Sequence, residues 1–147
     1  MIAKISTNIK TNEKTLWDEL QKVSSLIHVA SPVLKFKPLK GVDIPEKWIP
    51  GNEYKFKLSF FGIVPLGNHS IKLVELNKEE NHIVSNERGS LTRVWNHTIK
   101  FQAIDDQTVK YTDEIEIKAG FFTLLIWLFA NIFYRHRQNR WKKLFKN

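Results

Sequence analysis

The chain has 147 residues, with 23 Lys+Arg against 15 Asp+Glu for a formal charge of +8, and no cysteine. A composition of 42% hydrophobic and 26% charged residues is that of one folded domain over residues 1–147, long enough to remove roughly 70% of its unfolded surface from water. Disorder, collagen-like repeats and low complexity are excluded, as are disulfides, thiolate nucleophiles and Cys-based zinc sites.

The opening residues Met1 to Thr7 lack the positive region, apolar core and cleavage site of a secretory signal. Together with the missing cysteines this predicts a cytoplasmic location. Residues 2–10 alternate as a strand, with Ile5, Thr7 and Ile9 on one face. Thr11 or Asn12 is placed to cap a helix carrying Leu16, Trp17, Leu20 and Val23 at helical spacing. A second short helix runs through Leu26 to Val29 and ends at Ser31-Pro32. Val33 to Lys37 is a short strand, and Pro38 to Pro50 is a loop.

From Asn52 the pattern has period two. Tyr54, Phe56, Leu58 and Phe60 share one face, and Gly62 to Gly67 turns the chain. His69, Ile71 and Leu73 follow on one face, then a polar turn at Lys78–Asn81 and a strand over His82–Arg88. After Gly89-Ser90, residues 91–104 put Leu91, Arg93, Trp95, His97, Ile99, Phe101 and Ala103 together. Asp105-Asp106 makes a hairpin, and Val109, Tyr111, Asp113, Ile115 and Ile117 share a face of the last strand. Each strand has an apolar and a wet face, the mark of an antiparallel meander covered on one side.

After Gly120 no breaker interrupts Phe121–Phe145, so the spacing predicts a helix of about 25 residues. Its apolar run Phe121–Tyr134 has 14 residues, short of the roughly 20 that span a bilayer. Phe122, Leu125, Phe129 and Ile132 or Phe133 form the stripe expected to face the sheet. The opposite side, with Thr123, Trp127, Ala130, Asn131, Tyr134 and Trp141, is also aromatic. That second side must meet another apolar surface: a second copy of the chain, a membrane surface, or the Pro38–Pro50 loop.

Charge is concentrated at the end of this helix. Arg135, Arg137, Arg140, Lys142, Lys143 and Lys146 occur with no acid among them, and the remainder carries 17 basic and 15 acidic residues. Arg135, Arg137, Arg140, Lys142 and Lys143, beside Trp141, read either as a solvated helix end matched to the helix dipole or as contacts for an anionic surface. Nucleic acid is not the expected partner, because the charge is local and no reading module matches. The five histidines lack metal-ligand spacing, and no P-loop, dinucleotide or nucleophile-elbow motif is present, so neither metal nor cofactor is expected.

The order strand, two short helices, strand, meander and long helix resembles the START-like, or SRPBCC, helix-grip superfamily, above all its polyketide cyclase/dehydrase-like members. The likeness is carried by Gly89 followed by Trp95-Asn96-His97, by Thr108 and Thr112-Asp113-Glu114, and by Tyr134-Arg135-His136-Arg137-Gln138 before a basic end. One departure is Gly89-Ser90 where relatives commonly have Gly-Pro. The resemblance implies an α+β fold: a curved antiparallel sheet wrapped around the long C-terminal helix, with two short helices after the first strand.

It further implies a cavity for a small hydrophobic ligand such as a lipid, isoprenoid or polyketide-like compound. Its expected walls are Tyr54, Phe56, Leu58, Phe60, Ile71, Trp95, Ile99, Tyr111, Ile115, Phe122, Leu125 and Phe129, with Arg93, His97 and Asp113 at the polar end. Three readings of those polar groups stay open: ligand contact, a buried Arg93–Asp113 pair, or a cyclase or dehydratase in which His97 is the base and Asp113 its orienter.

Overall fold

The computed structural model describes residues 1–146. Strand β1 (Ile2–Ile9) is followed by helices α1 (Glu13–Leu20) and α2 (Val23–Ala30), then β2 (Leu34–Pro38) and β3 (Glu53–Phe60). Strands β4 (Val64–Asn77), β5 (His82–Gly89), β6 (Val94–Asp105) and β7 (Thr108–Lys118) continue the chain, and a 3₁₀ turn at Gly120–Phe122 leads into α3 (Thr123–Leu144). All pairings are antiparallel in one seven-stranded sheet of order β1-β7-β6-β5-β4-β3-β2, so β2 to β7 form the meander and β1 closes onto β7.

Alternation places the apolar partners: Tyr54, Phe56, Ile71, Leu73, Ile83, Ile99, Phe101, Val109, Ile115 and Ile117 are buried on the covered face. Register shifts at Leu58/Ser59 and Leu73/Glu75 add one residue to a strand and bend the sheet there. Asn12 caps α1, its Oδ1 accepting from the Thr15 amide at 2.8 Å. Trp48 carries the 39–52 loop onto α1 and β3, its amide bonding the Gln21 carbonyl at 2.9 Å and its ring meeting Tyr54 at 5.0 Å. The loop is therefore anchored on α1, α2 and β3, and at the second side of α3 its Trp48 shares one apolar cluster with Trp141.

Helix α3 turns a different stripe to the sheet than its apolar content predicts. The buried positions are Ala130, Phe133, Tyr134, Arg137, Gln138 and Trp141, at helical spacing on one face. None of Phe122, Leu125 or Ile132 is buried, and Leu125 is 64% exposed. Along this stripe the core divides into two apolar clusters, one around Trp141, Leu16 and Phe56 and the other around Phe133, Trp95 and Ile117. Arg137 and Gln138 occupy the helical turn between them.

Candidate functional site

Between the sheet and α3 lies a cavity of about 90 Å³ open to the centre of a water-sized sphere, several times the ~10–15 Å³ that one water needs. Leu26, Leu34, Phe36, Leu58, Leu66, Trp95, Ile126, Phe129 and Phe133 give it apolar walls, and His69, Glu87, Thr92, Tyr134 and Arg137 are its buried polar groups. A smaller compartment of about 40 Å³ lies deeper, among Leu20, Trp48, Ile71, Ile83, His97, Ile99 and Trp141. Leu26, Glu87 and Arg137 border both.

The polar groups form a linked layer. Gly89 faces His69 across the β4–β5 pair, where an added Cβ would stand 2.8 Å from the Asn68 carbonyl and 2.9 Å from His69 Nδ1. The missing side chain thus makes room for the imidazole, whose Nε2 bonds Glu87 Oε1 at 2.8 Å. Ser85 donates to Glu87 Oε2 at 2.9 Å. His97 Nε2 meets Asp113 Oδ1 at 2.6 Å, Tyr111 donates to the same oxygen at 3.0 Å, and Gln138 donates to Asp113 Oδ2 at 3.0 Å. The Trp95 indole donates to the Tyr134 hydroxyl at 3.0 Å.

Burial alone would push the Glu87 and Asp113 carboxyls up. The His69 bond and the charges of both histidines reverse this for Glu87; the His97 bond, the charges of His97 and Arg137 and the Gln138 bond reverse it for Asp113. Both are held below the usual carboxylate range. Burial, reinforced by Asp113, pushes the Tyr111 phenol well above its ordinary value, and burial likewise raises Tyr134. Burial opposes the charge of Arg137, but Tyr134, Asp113, Tyr111 and Glu87 outweigh it and the guanidinium holds its proton more tightly.

Of the fifteen side chains expected around the cavity, Leu58, Trp95 and Phe129 line the main compartment, and Ile71, His97 and Ile99 the deeper one. Tyr54, Phe56, Tyr111, Asp113 and Ile115 are buried in the core without bordering either, and half-buried Phe60 packs on Phe129 at 6.2 Å. Three differ outright. Arg93 is exposed because the Ser90–Arg93 turn resets the alternation, so Thr92 is buried in its place, and no Arg93–Asp113 pair forms. Phe122 and Leu125 are exposed because the first turns of α3 bury no residue.

The basic end is also redistributed. Arg135, Lys142 and Lys143 are exposed, whereas half-buried Arg140 donates to the His28 carbonyl at 3.1 Å. Arg137 is 4% exposed, with its guanidinium 5.0 Å from the Tyr134 ring centre and 6.0 Å from that of Phe133. It belongs to the cavity and not to an anionic surface. Sequence reasoning placed Arg137 among the surface cations and missed Gln138, Glu87 and His69 as site residues. The period-two run Ile83, Ser85, Glu87 would have pointed to Glu87, and the 3–4 spacing from Phe133 to Trp141 to the other helix residues.

A family model described as a domain of unknown function, DUF8410, matches residues 7–145. The chain belongs to this family. Curated proteins offer no match to it. Among solved structures, this DUF8410 domain is similar to protein CV1439 from Chromobacterium violaceum, with a TM-score of 0.79 at 11% identity over 99% of this chain and 97% of that one. It is also similar to a START superfamily protein from Mycobacterium smegmatis, with a TM-score of 0.71 at 9% identity over 98% and 96%. The Zhui aromatase/cyclase from Streptomyces sp. R1128 superposes with a TM-score of 0.68 at 9% identity over 97% and 92%. The DUF8410 domain therefore has the START-like helix-grip fold. At these identities the likeness concerns the fold alone.

Proposed function

We propose that this DUF8410 domain binds and carries a small hydrophobic ligand in the cavity between the sheet and α3. The observation that carries this reading is the wall itself, apolar from Leu34 to Phe133 around a few fixed polar groups, the usual makeup of a ligand pocket. The size of the cavity favours a ring system or short isoprenoid over a whole acyl chain. Native mass spectrometry of freshly purified protein, followed by solvent extraction, is expected to release an apolar compound. Protein that carries none and binds neither xenon nor aromatic probes would refute the reading.

The enzymatic alternative through His97 and Asp113 has less support. His97 has one ring nitrogen on Asp113 and the other 3.9 Å from Glu87 Oε2, and Asp113 is fully buried and borders neither compartment. A general base needs a nitrogen directed at substrate.

A second reading is favoured by the exposed face of α3. Phe121 is 95% exposed, and Phe122, Leu124, Leu125, Leu128 and Ile132 extend an apolar face that continues at Arg135, Lys142 and Lys143 as a basic one. Residues 54–74, 88–104 and 117–146, which include most of the cavity's lining, contain no acid. Such a helix suits the rim of an anionic bilayer, rings in the acyl boundary and cations at the headgroups. No helix among the described residues is long and apolar enough to cross a membrane. Flotation with phosphatidylserine vesicles is expected, and loss on Phe121→Ser with Leu125→Ser supports the contact. A concentration-dependent dimer abolished by the same changes assigns the face to a second copy instead.

A further inference from the structure

We infer that the ligand is a compact, neutral carbonyl compound whose oxygen is read by Arg137 with Trp141 behind it. This rests on the carrier reading and adds the chemistry of the ligand's polar end.

The hydrogen bonds of the polar layer leave two buried donors over. Glu87 and Asp113 have both of their oxygens occupied, by His69 and Ser85 in one case and by His97, Tyr111 and Gln138 in the other. Arg137 receives none of these oxygens. Its Nε is buried without a hydrogen-bond partner, and Asp113 and Glu87 act on it through charge alone. Its flat faces rest on Tyr134 and Phe133, which stabilise a cation but accept no conventional hydrogen bond. Trp141 Nε1, on the wall of the deeper compartment, is the second buried nitrogen of the site without a partner.

Both orphaned groups are donors, and neither Arg nor Trp can accept. Buried polar groups in folded proteins are almost always paired, so the partner required here is an acceptor oxygen. Arg137 borders both compartments, so an oxygen bound to it would lie at the floor of the main cavity while an apolar body fills the space towards Trp95, Ile126 and Phe129. Charge selects between acceptors. The groups facing Arg137 are the Glu87 and Asp113 carboxylates, the Tyr111 and Tyr134 phenols, and the histidines 69 and 97 that bond the carboxylates. Each carboxylate is already matched by its own histidine, and bringing a further carboxylate into this buried layer would cost the desolvation of a full charge, whereas a ketone, enone or quinone oxygen accepts a charge-assisted bond without that cost.

The test compares acetophenone, ethylbenzene and benzoate, which share one ring and nearly one size, in titrations followed by ¹⁵N-resolved NMR of the full chain. Acetophenone is expected to bind at least tenfold more tightly than ethylbenzene, about 1.4 kcal/mol, and to shift the Arg137 Nε–H and Trp141 indole N–H signals. Arg137→Met, which keeps the apolar stem and removes the donors, should erase that preference; Arg137→Lys should retain part of it. Equal affinity of the wild-type protein for acetophenone and ethylbenzene overturns the inference while leaving the carrier reading intact, and requires no variant to fold. Tightest binding of benzoate overturns neutrality in favour of an acid. Failure of all three to bind overturns the inference together with the carrier reading beneath it.

Discussion

The Gln138 side-chain amide bridges Asp113 Oδ2, at 3.0 Å, and the Ile5 carbonyl, at 2.8 Å, so one residue of α3 holds two strands that are themselves paired at Ile5 and Asp113. All three partners lie in the core. Gln138→Ala removes both donors and leaves two buried oxygens short of a partner, at about 1–3 kcal/mol per unsatisfied group. Urea denaturation should show a lower midpoint with an unchanged slope. A change below about 0.5 kcal/mol would mean that the bridge contributes nothing.

The depressed carboxyls of Glu87 and Asp113 give stability a defined pH dependence. Their contribution is complete above the ordinary carboxylate range, near pH 4, and is lost as pH falls through their lower folded values. Acid should therefore destabilise the wild-type protein. Asp113→Asn should cost about 3 kcal/mol at pH 7, where it leaves His97 without its charged partner, and flatten the acid limb of Tm against pH. A limb as steep as that of the wild type would exclude Asp113 as its source.

Much of this architecture is written in the sequence, for physical reasons that differ by element. Alternation is rigid in a strand, so placing Trp95 and His97 on one face of β6, with Tyr111 and Asp113 on the same face of neighbouring β7, follows once the period is seen. It fails at Arg93 because a turn has no period to propagate. Helix α3 misled in another way. Its most apolar stripe, through Leu125, is solvent-facing, while the buried stripe includes an arginine and a glutamine. Those two are stable inside only because β5, β6 and β7 supply the surrounding polar layer, a fact that no local pattern contains. Arg137 was hidden further by lying in a run of cations that are mostly exposed.

The helix orientation has its own test. Phe133 is buried and Leu125 is not, so Phe133→Ala should cost about 3–5 kcal/mol while Leu125→Gln stays within about 0.5 kcal/mol. Thermal unfolding of the two variants decides. Equal losses would mean that α3 is rotated about its axis.

Gly89→Ala should act on the cavity without touching a polar group. The new methyl has to displace the Asn68 carbonyl or the His69 ring, at about 1–3 kcal/mol for an overpacked site. Weaker binding of aromatic probes is expected in the fraction that remains folded. Unaltered stability and binding would show that β4 yields freely at that point.

Apolar contacts are non-directional, so the two clusters by themselves define the height of α3 less sharply than hydrogen bonds do. The polar turn at Arg137 and Gln138 removes that freedom. A slide of one turn, about 5.4 Å, would bring Tyr134 or Trp141 opposite Asp113 and strip its carboxylate of the amide. The layer thus indexes the helix like the pin of a lock, and it fixes how deep the floor of the cavity lies.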